Sequence, residues 1–399
     1  MKILLICQLY YPENCVITTF AESLVKLGHE VEVLTGKPNY GYGRILEGYE
    51  KIKEEVVTDV LIHRVNLIPR KKNRLSIILN YLSFWHNSKR WARRTKKEFD
   101  IVYSLSISPV TALCAGNVYK KKHHVPHVMH VVDIWPESTV ATKAVKKDSL
   151  MYKVLYKWSK AIYSKADKLL IGSPSYKDYF LNVLNIKNIP IEFLPQPSLI
   201  EGTNLEPYQY NEGFNILYCG NLGRIQLIDL IPKAMAQVSN QNVYFHVIGM
   251  GPKTDELKRL IKAYKLEDKI IYHGPIISKI AASYYLNADA IYISLKGEGV
   301  VGKTIPNKLM MAMAFSKPII AVLSGDGKKV LSSFDSGVSA SEIPSDIASK
   351  IDEISTYSKD RLKEIGINNR EYYLSSFSQK TICSKLEKIL SIEITKKVH

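Results

Sequence analysis

Five short segments hold the residues best able to do chemistry. His130-Val131-Val132-Asp133-Ile134-Trp135-Pro136-Glu137-Ser138 gathers a histidine, two acids and a tryptophan. A carboxylate such as Asp133 at a strand end can take a proton from a hydroxyl. His130 can do the same, or it can be a core histidine with both nitrogens satisfied. Cys219-Gly220-Asn221-Leu222-Gly223-Arg224 has glycines that let backbone approach a phosphate and an arginine that can clamp its oxygens. The same residues also suit an ordinary turn with a surface arginine. Gly249-Met250-Gly251 is a weaker version, and Tyr272-His273-Gly274-Pro275 is a turn able to flank a nucleobase, with His273 read as structural. Gly297-Glu298-Gly299-Val300-Val301-Gly302 precedes Thr304-Ile305-Pro306-Asn307-Lys308-Leu309. Pro306 stands where a helix begins and no N–H is needed. The first turn around Asn307 and Lys308 favours anions. Glu298 can accept hydrogen bonds from sugar hydroxyls, and Lys308 can neutralise a diphosphate.

These segments need strand ends to position them. Lys2–Cys7 reads as a strand buried on both faces, Thr18–Leu27 as a helix ended by Gly28, and Glu30–Thr35 as the next strand. The alternation continues through a long helix at Leu75–Lys97 to a strand at Ile191–Leu194. Pro195–Glu212, with three prolines, reads as a linker. A second alternating series starts at Phe214 and passes into a mostly helical end. Two such series predict an α/β chain of two doubly wound, Rossmann-like parallel-sheet domains, residues 1–197 and 198–376, facing a central cleft. Ligands bind such sheets beyond the carboxyl ends of their strands.

The 399 residues carry a net charge of +17, a balance that points to anionic partners. Arg70, Lys71, Lys72 and Arg74 precede the long helix. Trp85, Arg90, Trp91, Arg93 and Arg94 lie along it. Basic residues interleaved with aromatics suit an anionic membrane surface, although an apolar half packed on the sheet and a solvated basic end fit as well. No nucleic-acid-binding motif accompanies the charge. Five scattered cysteines form no Cys-x-x-Cys pair, and no apolar run reaches about 18 residues. A cytoplasmic protein resting on the inner face of the membrane is expected. The 25 tyrosines suit wet or sugar-facing surfaces, or follow from biased base composition.

Taken in order, the segments resemble glycosyltransferase family 4, and within it the bacterial capsule and O-antigen sugar transferases. His130–Ser138, Gly220–Arg224, Ala288-Asp289-Ala290 and Ile305–Leu309 carry the resemblance, which spans essentially the whole chain. It implies the two-domain GT-B fold, a second domain that holds the donor, and retention of anomeric configuration. It also implies a last helix within 377–399, around Gln379–Ser391, that crosses back to the first domain. Three positions depart from the family pattern. Glu13-Asn14-Cys15-Val16 replaces a Gly-Gly, Leu230 a lysine, and Met311 the second acid of a Glu-x7-Glu pair.

The expected activity is transfer of a hexosyl or N-acetylhexosaminyl unit from a nucleotide sugar, UDP-linked, to a polyprenyl-diphosphate-linked sugar acceptor. Asp133 is expected at the reacting carbon, with His130 in reserve. The donor would lie among Gly220, Asn221, Arg224, Gly249, Gly274, Pro275, Glu298, Pro306, Asn307 and Lys308. No Asp-x-Asp is present, so no metal or other cofactor is expected. The alternatives are a nucleotide-sugar epimerase of similar fold and a non-catalytic glycan- or lipid-binding partner subunit. A dehydrogenase is disfavoured, because neither half has Gly-x-Gly-x-x-Gly after its first strand.

Overall fold

The computed structural model describes residues 1–13, 15–71, 73–107, 109–198 and 205–398. Asn14 and Lys72, singled out above, and residues 199–204 of the expected linker lie outside the described residues. The chain divides into two compact units, Met1–Leu199 with Gln379–His399, and Ile200–Ser378.

The first unit holds β1 (Lys2–Ile6), β2 (Glu30–Gly36), β3 (Glu54–Val57), β4 (Val60–Val65), β5 (Ile101–Ser106), β6 (His127–Val131), β7 (Lys168–Ile171) and β8 (Ile191–Phe193). They form one sheet in the order β3-β4-β2-β1-β5-β6-β7-β8. All neighbours are parallel except β3 and β4. β1 is apolar because helices cover both faces of the sheet centre; Ile3, Leu4, Leu5 and Ile6 are fully buried. The helix Val16–Lys26 buries Val16, Ile17, Phe20, Ala21 and Leu24, a one-sided spacing that sets it against the sheet. Strand order reverses at β1, between β2 and β5, so a binding crevice is expected beyond these carboxyl ends. β3 escapes the periodicity because it is a half-exposed edge strand with alternating exposure.

The second unit holds β9 (Phe214–Cys219), β10 (Val243–Ile248), β11 (Ile270–Gly274), β12 (Ala290–Ser294), β13 (Ile319–Val322) and β14 (Gly337–Ser339). The order is β11-β10-β9-β12-β13-β14, parallel throughout, and the reversal falls between β9 and β12. Its core joins Ile216, Tyr218, Phe245, Val247, Tyr292, Ile320 and Val322. Each such side chain contributes about 1.5–3 kcal/mol by leaving water.

The last helix, Gln379–Val398, belongs to the first unit. Gln379 Nε2 donates to Ser198 O at 3.1 Å, Lys385 Nζ to Phe193 O at 2.7 Å, and Glu393 lies 3.6 Å from Lys168 Nζ. The long helix of the first unit runs Arg74–Arg94, capped by Asn73, whose side chain accepts from Ser76 N–H at 2.8 Å.

Candidate active site

In the second unit the turns that follow β9, β10 and β11 are tied together. Gly220 N–H donates to Ile248 O at 2.9 Å, and Gly249 N–H donates to Gly274 O at 2.8 Å. Both amides are therefore used within the protein. The expectation that these glycines offer the backbone itself to a phosphate gives way to another reason for them. A Cβ on Gly249 would stand 1.8 Å from Gly220 O, and one on Gly220 would stand 2.3 Å from Lys308 Cε. Their φ angles, +134° and +145°, disfavour any side chain. The glycines allow the turns to touch and allow Lys308 to lie against them.

Lys308 rises from the first turn of the helix Asn307–Ala314, for which Pro306 is the N-cap residue. Its Nζ donates to Tyr218 Oη at 2.8 Å, and Tyr218 Oη donates to Asn221 O at 2.6 Å. Burial pulls the Lys308 ammonium down to about 8. No carboxylate pairs with it among the described residues. Arg224 is exposed and also lacks an ionic partner among them. Lys308 thus stands, unpaired among the described residues, in the first turn of a helix, where the backbone N–H groups favour an anion. Asn221, Asn307 and Pro275 are exposed. Glu298 is exposed and engaged by Lys296 at 2.8 Å, so a sugar hydroxyl would have to compete with that pair. His273 is structural: its Nε2 meets His246 Nδ1 at 3.0 Å. Leu230, where the family pattern has a lysine, packs on the core.

In the first unit Asp133 follows β6. Its N–H donates to Ser106 O at 3.3 Å, and its carboxyl group has no partner among the described residues. Burial alone lifts this carboxyl group to about 7. His130 does not suit the reserve catalytic role. It is fully buried, Tyr103 Oη donates to its Nδ1 at 2.7 Å, and its Nε2–H donates to Leu194 O at 2.8 Å. Burial depresses it to about 4, so the ring stays neutral and occupied on both nitrogens. Glu137 Oε1 accepts from Tyr152 Oη at 2.6 Å and Tyr179 Oη at 3.1 Å, which fixes the turn that carries Asp133.

Beyond β1 lies a buried amide network. Gln8 Nε2 donates to Asn80 Oδ1 at 2.6 Å, and Asn80 Nδ2 donates to Asn39 Oδ1 at 3.1 Å and Ile68 O at 2.7 Å. Glu13 stands where the family has glycine. Its carboxylate accepts from Asn39 N–H at 2.6 Å and so holds that loop from within.

The residues expected to face a membrane separate. Lys71, Arg74, Arg90, Arg93 and Arg94 are exposed. Trp91 is not a membrane contact: its ring packs 4.9 Å from His63, against the core. Trp85 meets Trp158 edge-on at 5.8 Å. Arg90 and Arg94 line a pocket of about 480 Å³ with Glu54, His63 and Lys97. Arg70 is partly buried between two tyrosine rings. The exposed apolar residues lie elsewhere: Leu75 (66%), Ile78, Leu79 and Leu82 on the first half of the long helix, and Leu150 (81%), Met151 and Val154 on the helix Leu150–Tyr163.

Sequence reasoning missed Tyr218, Tyr103, Asn39, Asn80 and Gln8. Tyr218 and Tyr103 read as apolar strand residues, and the tyrosine excess pointed to wet surfaces rather than to buried hydroxyls. Among the described residues no group of three or more His, Cys, Asp or Glu could hold a metal ion.

The family model described as Glycosyltransferase Family 4 matches residues 15–197, and that described as Glycosyl transferases group 1 matches residues 213–356. WbjE of Pseudomonas aeruginosa, a probable glycosyltransferase, is 29% identical over 217 residues, 49% of this chain and 50% of that protein. WcaL of Salmonella typhimurium, named for a glycosyltransferase of colanic acid biosynthesis, is 28% identical over 162 residues, 40% of each. The chain thus spans about half the length, or less, of these curated relatives. The crystal structure of Anabaena HepE in complex with UDP superposes with a TM-score of 0.67 at 14% identity, over 98% of this chain and 100% of that one. The fold is GT-B, as in such neighbours.

Proposed function

As the chain belongs to the family 4 glycosyltransferases, we propose that it moves a hexosyl or N-acetylhexosaminyl unit from a UDP-sugar to a polyprenyl-diphosphate-linked acceptor in surface polysaccharide synthesis. The relatives' names support the pathway, and the UDP bound to HepE supports the donor base. The observation that carries the reading is Lys308, a half-buried ammonium set on Tyr218 with no acid beside it. A diphosphate supplies the missing charge.

In the proposed reaction the bond from the anomeric carbon to the donor diphosphate breaks. The acceptor oxygen bonds on the same face, which retains configuration. The diphosphate leaves with the electron pair, its charge met by Lys308, Arg224 and the helix N-terminus rather than by a metal. The acceptor hydroxyl passes its proton to Asp133, whose lifted pKa suits a base working near neutrality. Gly220, Gly249 and Gly274 shape the donor pocket, and Glu298 exchanges Lys296 for a sugar hydroxyl.

The acceptor places the enzyme at the inner face of the membrane. No helix among the described residues is long and apolar enough to cross it. The exposed apolar row Leu75, Ile78, Leu79, Leu82 and a second one, Leu150, Met151, Val154, each with exposed basic residues close in sequence (Lys71 and Arg74, Lys153 and Lys157), suit an interfacial contact.

Thermal unfolding with UDP, GDP, ADP and NAD tests the donor reading. A ligand at 100 times its Kd stabilises by about 2.7 kcal/mol. UDP alone should raise Tm, and transfer from a UDP-sugar should persist in EDTA. No shift with any nucleotide favours a non-catalytic subunit.

A further inference from the structure

Arg70 is held from three sides and neutralised from none. Its backbone N–H donates to Asn39 Oδ1 at 2.9 Å, within the amide network beyond β1. Its guanidinium lies 5.0 Å from the centre of the Tyr40 ring and 5.7 Å from that of Tyr81, and Nη1 donates to Tyr81 Oη at 3.1 Å. No carboxylate pairs with it among the described residues. A solvated surface arginine needs no such support, and a structural one would end on an acid or on carbonyls. An arginine pre-set by aromatic faces keeps most of its donor fork for a ligand, and that fork matches phosphate oxygens.

Its neighbours point to which phosphate. Tyr81 touches Trp135 edge-on, with ring centres 6.2 Å apart, and Trp135 is two residues from Asp133. Tyr81 also belongs to the helix whose first half carries the exposed row Leu75, Ile78, Leu79 and Leu82. The cation thus rests on a tyrosine that touches the turn carrying the proposed base and that belongs to the helix bearing an apolar stripe. A lipid-linked sugar has three matching parts: a sugar hydroxyl, a diphosphate and a prenyl chain. We infer that Arg70, clamped by Tyr40 and Tyr81, grips the diphosphate of the lipid-linked acceptor. This rests on the sugar-transfer reading above. It separates Arg70 from Lys71 and Arg74, which face solvent.

Calorimetric titration of the full chain with farnesyl diphosphate, a short prenyl diphosphate, tests it, with UDP and phosphatidylglycerol vesicles as parallel ligands. Arg70→Gln should weaken farnesyl diphosphate about tenfold or more, and leave UDP affinity and vesicle binding within about twofold. Arg70→Lys keeps the charge and loses the fork, so it should fall in between. It decides the question if Arg70→Gln loses its thermal transition. Unchanged farnesyl diphosphate affinity in these variants overturns the inference. So does a loss confined to UDP, which would make Arg70 a donor contact, or one confined to vesicles, which would make it a headgroup contact. A wild-type chain that binds UDP but no farnesyl diphosphate sinks this inference and spares the transfer reading. One that binds neither sinks both.

Discussion

The strand ends of the two units carry opposite faults. Beyond β6 a carboxyl group, Asp133, is half-buried with no cation beside it among the described residues. Beyond β9 an ammonium, Lys308, is half-buried with no acid beside it among the described residues. Burial pushes both toward neutrality, Asp133 up to about 7 and Lys308 down to about 8. Each destabilises its own unit, because a charge removed from water without a partner costs free energy. By contrast, Glu32 sits with His63 and Lys97, and Lys168 with Glu192. The two unpaired sites fall where ligands bind this class of sheet. On the proposed reading the Asp133 carboxylate takes the proton that the acceptor hydroxyl loses, and the Lys308 ammonium meets the charge that the leaving group gains.

The largest expected effect is on Asp133. Asp133→Asn keeps the shape and removes the base, so the transfer rate should fall about 10²–10⁴-fold. The wild-type rate should rise with pH through about 7 as the carboxyl group ionises, and that limb should vanish in the variant. Stability should move the other way. The folded pKa is raised above the unfolded value, so the stability Asp133 contributes is full at low pH and fades as pH rises through about 7. Asp133→Asn should therefore raise Tm at pH 8 and leave it nearly unchanged at pH 4. A variant that stays fully active would remove the unit-one half of the contrast.

Lys308→Met tests the other half. UDP affinity should fall about 10²-fold, the scale of a lost charge-assisted contact. The folded pKa here is depressed, so the ammonium's penalty is full below about 8 and fades toward the unfolded value of about 10.4. The variant should gain Tm at pH 7 and lose that gain by pH 11. Equal loss of farnesyl diphosphate and UDP binding would mean that the two ends do not divide their labour. Gly249→Ala asks whether the donor end depends on its packed turns. A Cβ placed 1.8 Å from Gly220 O at φ +134° should cost roughly 2 kcal/mol or more in denaturant unfolding.

How much of this the sequence shows differs between the units for a physical reason. Parallel strands buried on both faces are near-continuous apolar runs, so β1, β2, β9, β10 and β12 stand out. β3 does not, because half of it faces water. Asp133 and Lys308 are legible because an ion at the end of an apolar run, or beside a Pro at a helix start, has few core explanations. What holds them is not legible. Tyr218 looks like a core residue, and its hydroxyl finds Lys308 only after the chain has travelled to residue 308. Asn39 and Asn80 look like a turn and a helix surface, yet they meet Gln8 in a buried network. His130 was ambiguous for the converse reason: Tyr103 and Leu194, which satisfy it, are far away in sequence. The membrane face was read from charge and aromatics, but tertiary packing set Trp91 against the core and left the leucines outside.

That last difference gives the smallest and most discriminating measurement. If the basic half of the long helix rests on lipid, removing Arg90 and Arg94 should cost about 1 kcal/mol each, roughly thirtyfold together in vesicle binding. If instead the apolar row inserts, the double variant Arg90→Ala, Arg94→Ala should lose about threefold or less, through long-range charge alone. Ile78→Glu with Leu82→Glu should then lose about tenfold or more, because each exposed side chain would carry a charge into the interface in place of buried hydrocarbon. Sedimentation with phosphatidylglycerol vesicles at low and high salt separates the two. Strong salt dependence with an intact response to Ile78→Glu and Leu82→Glu would return the basic half to the membrane. Weak salt dependence with lost binding would keep the acid-bearing unit, through its leucines, as the one that meets the lipid-linked substrate.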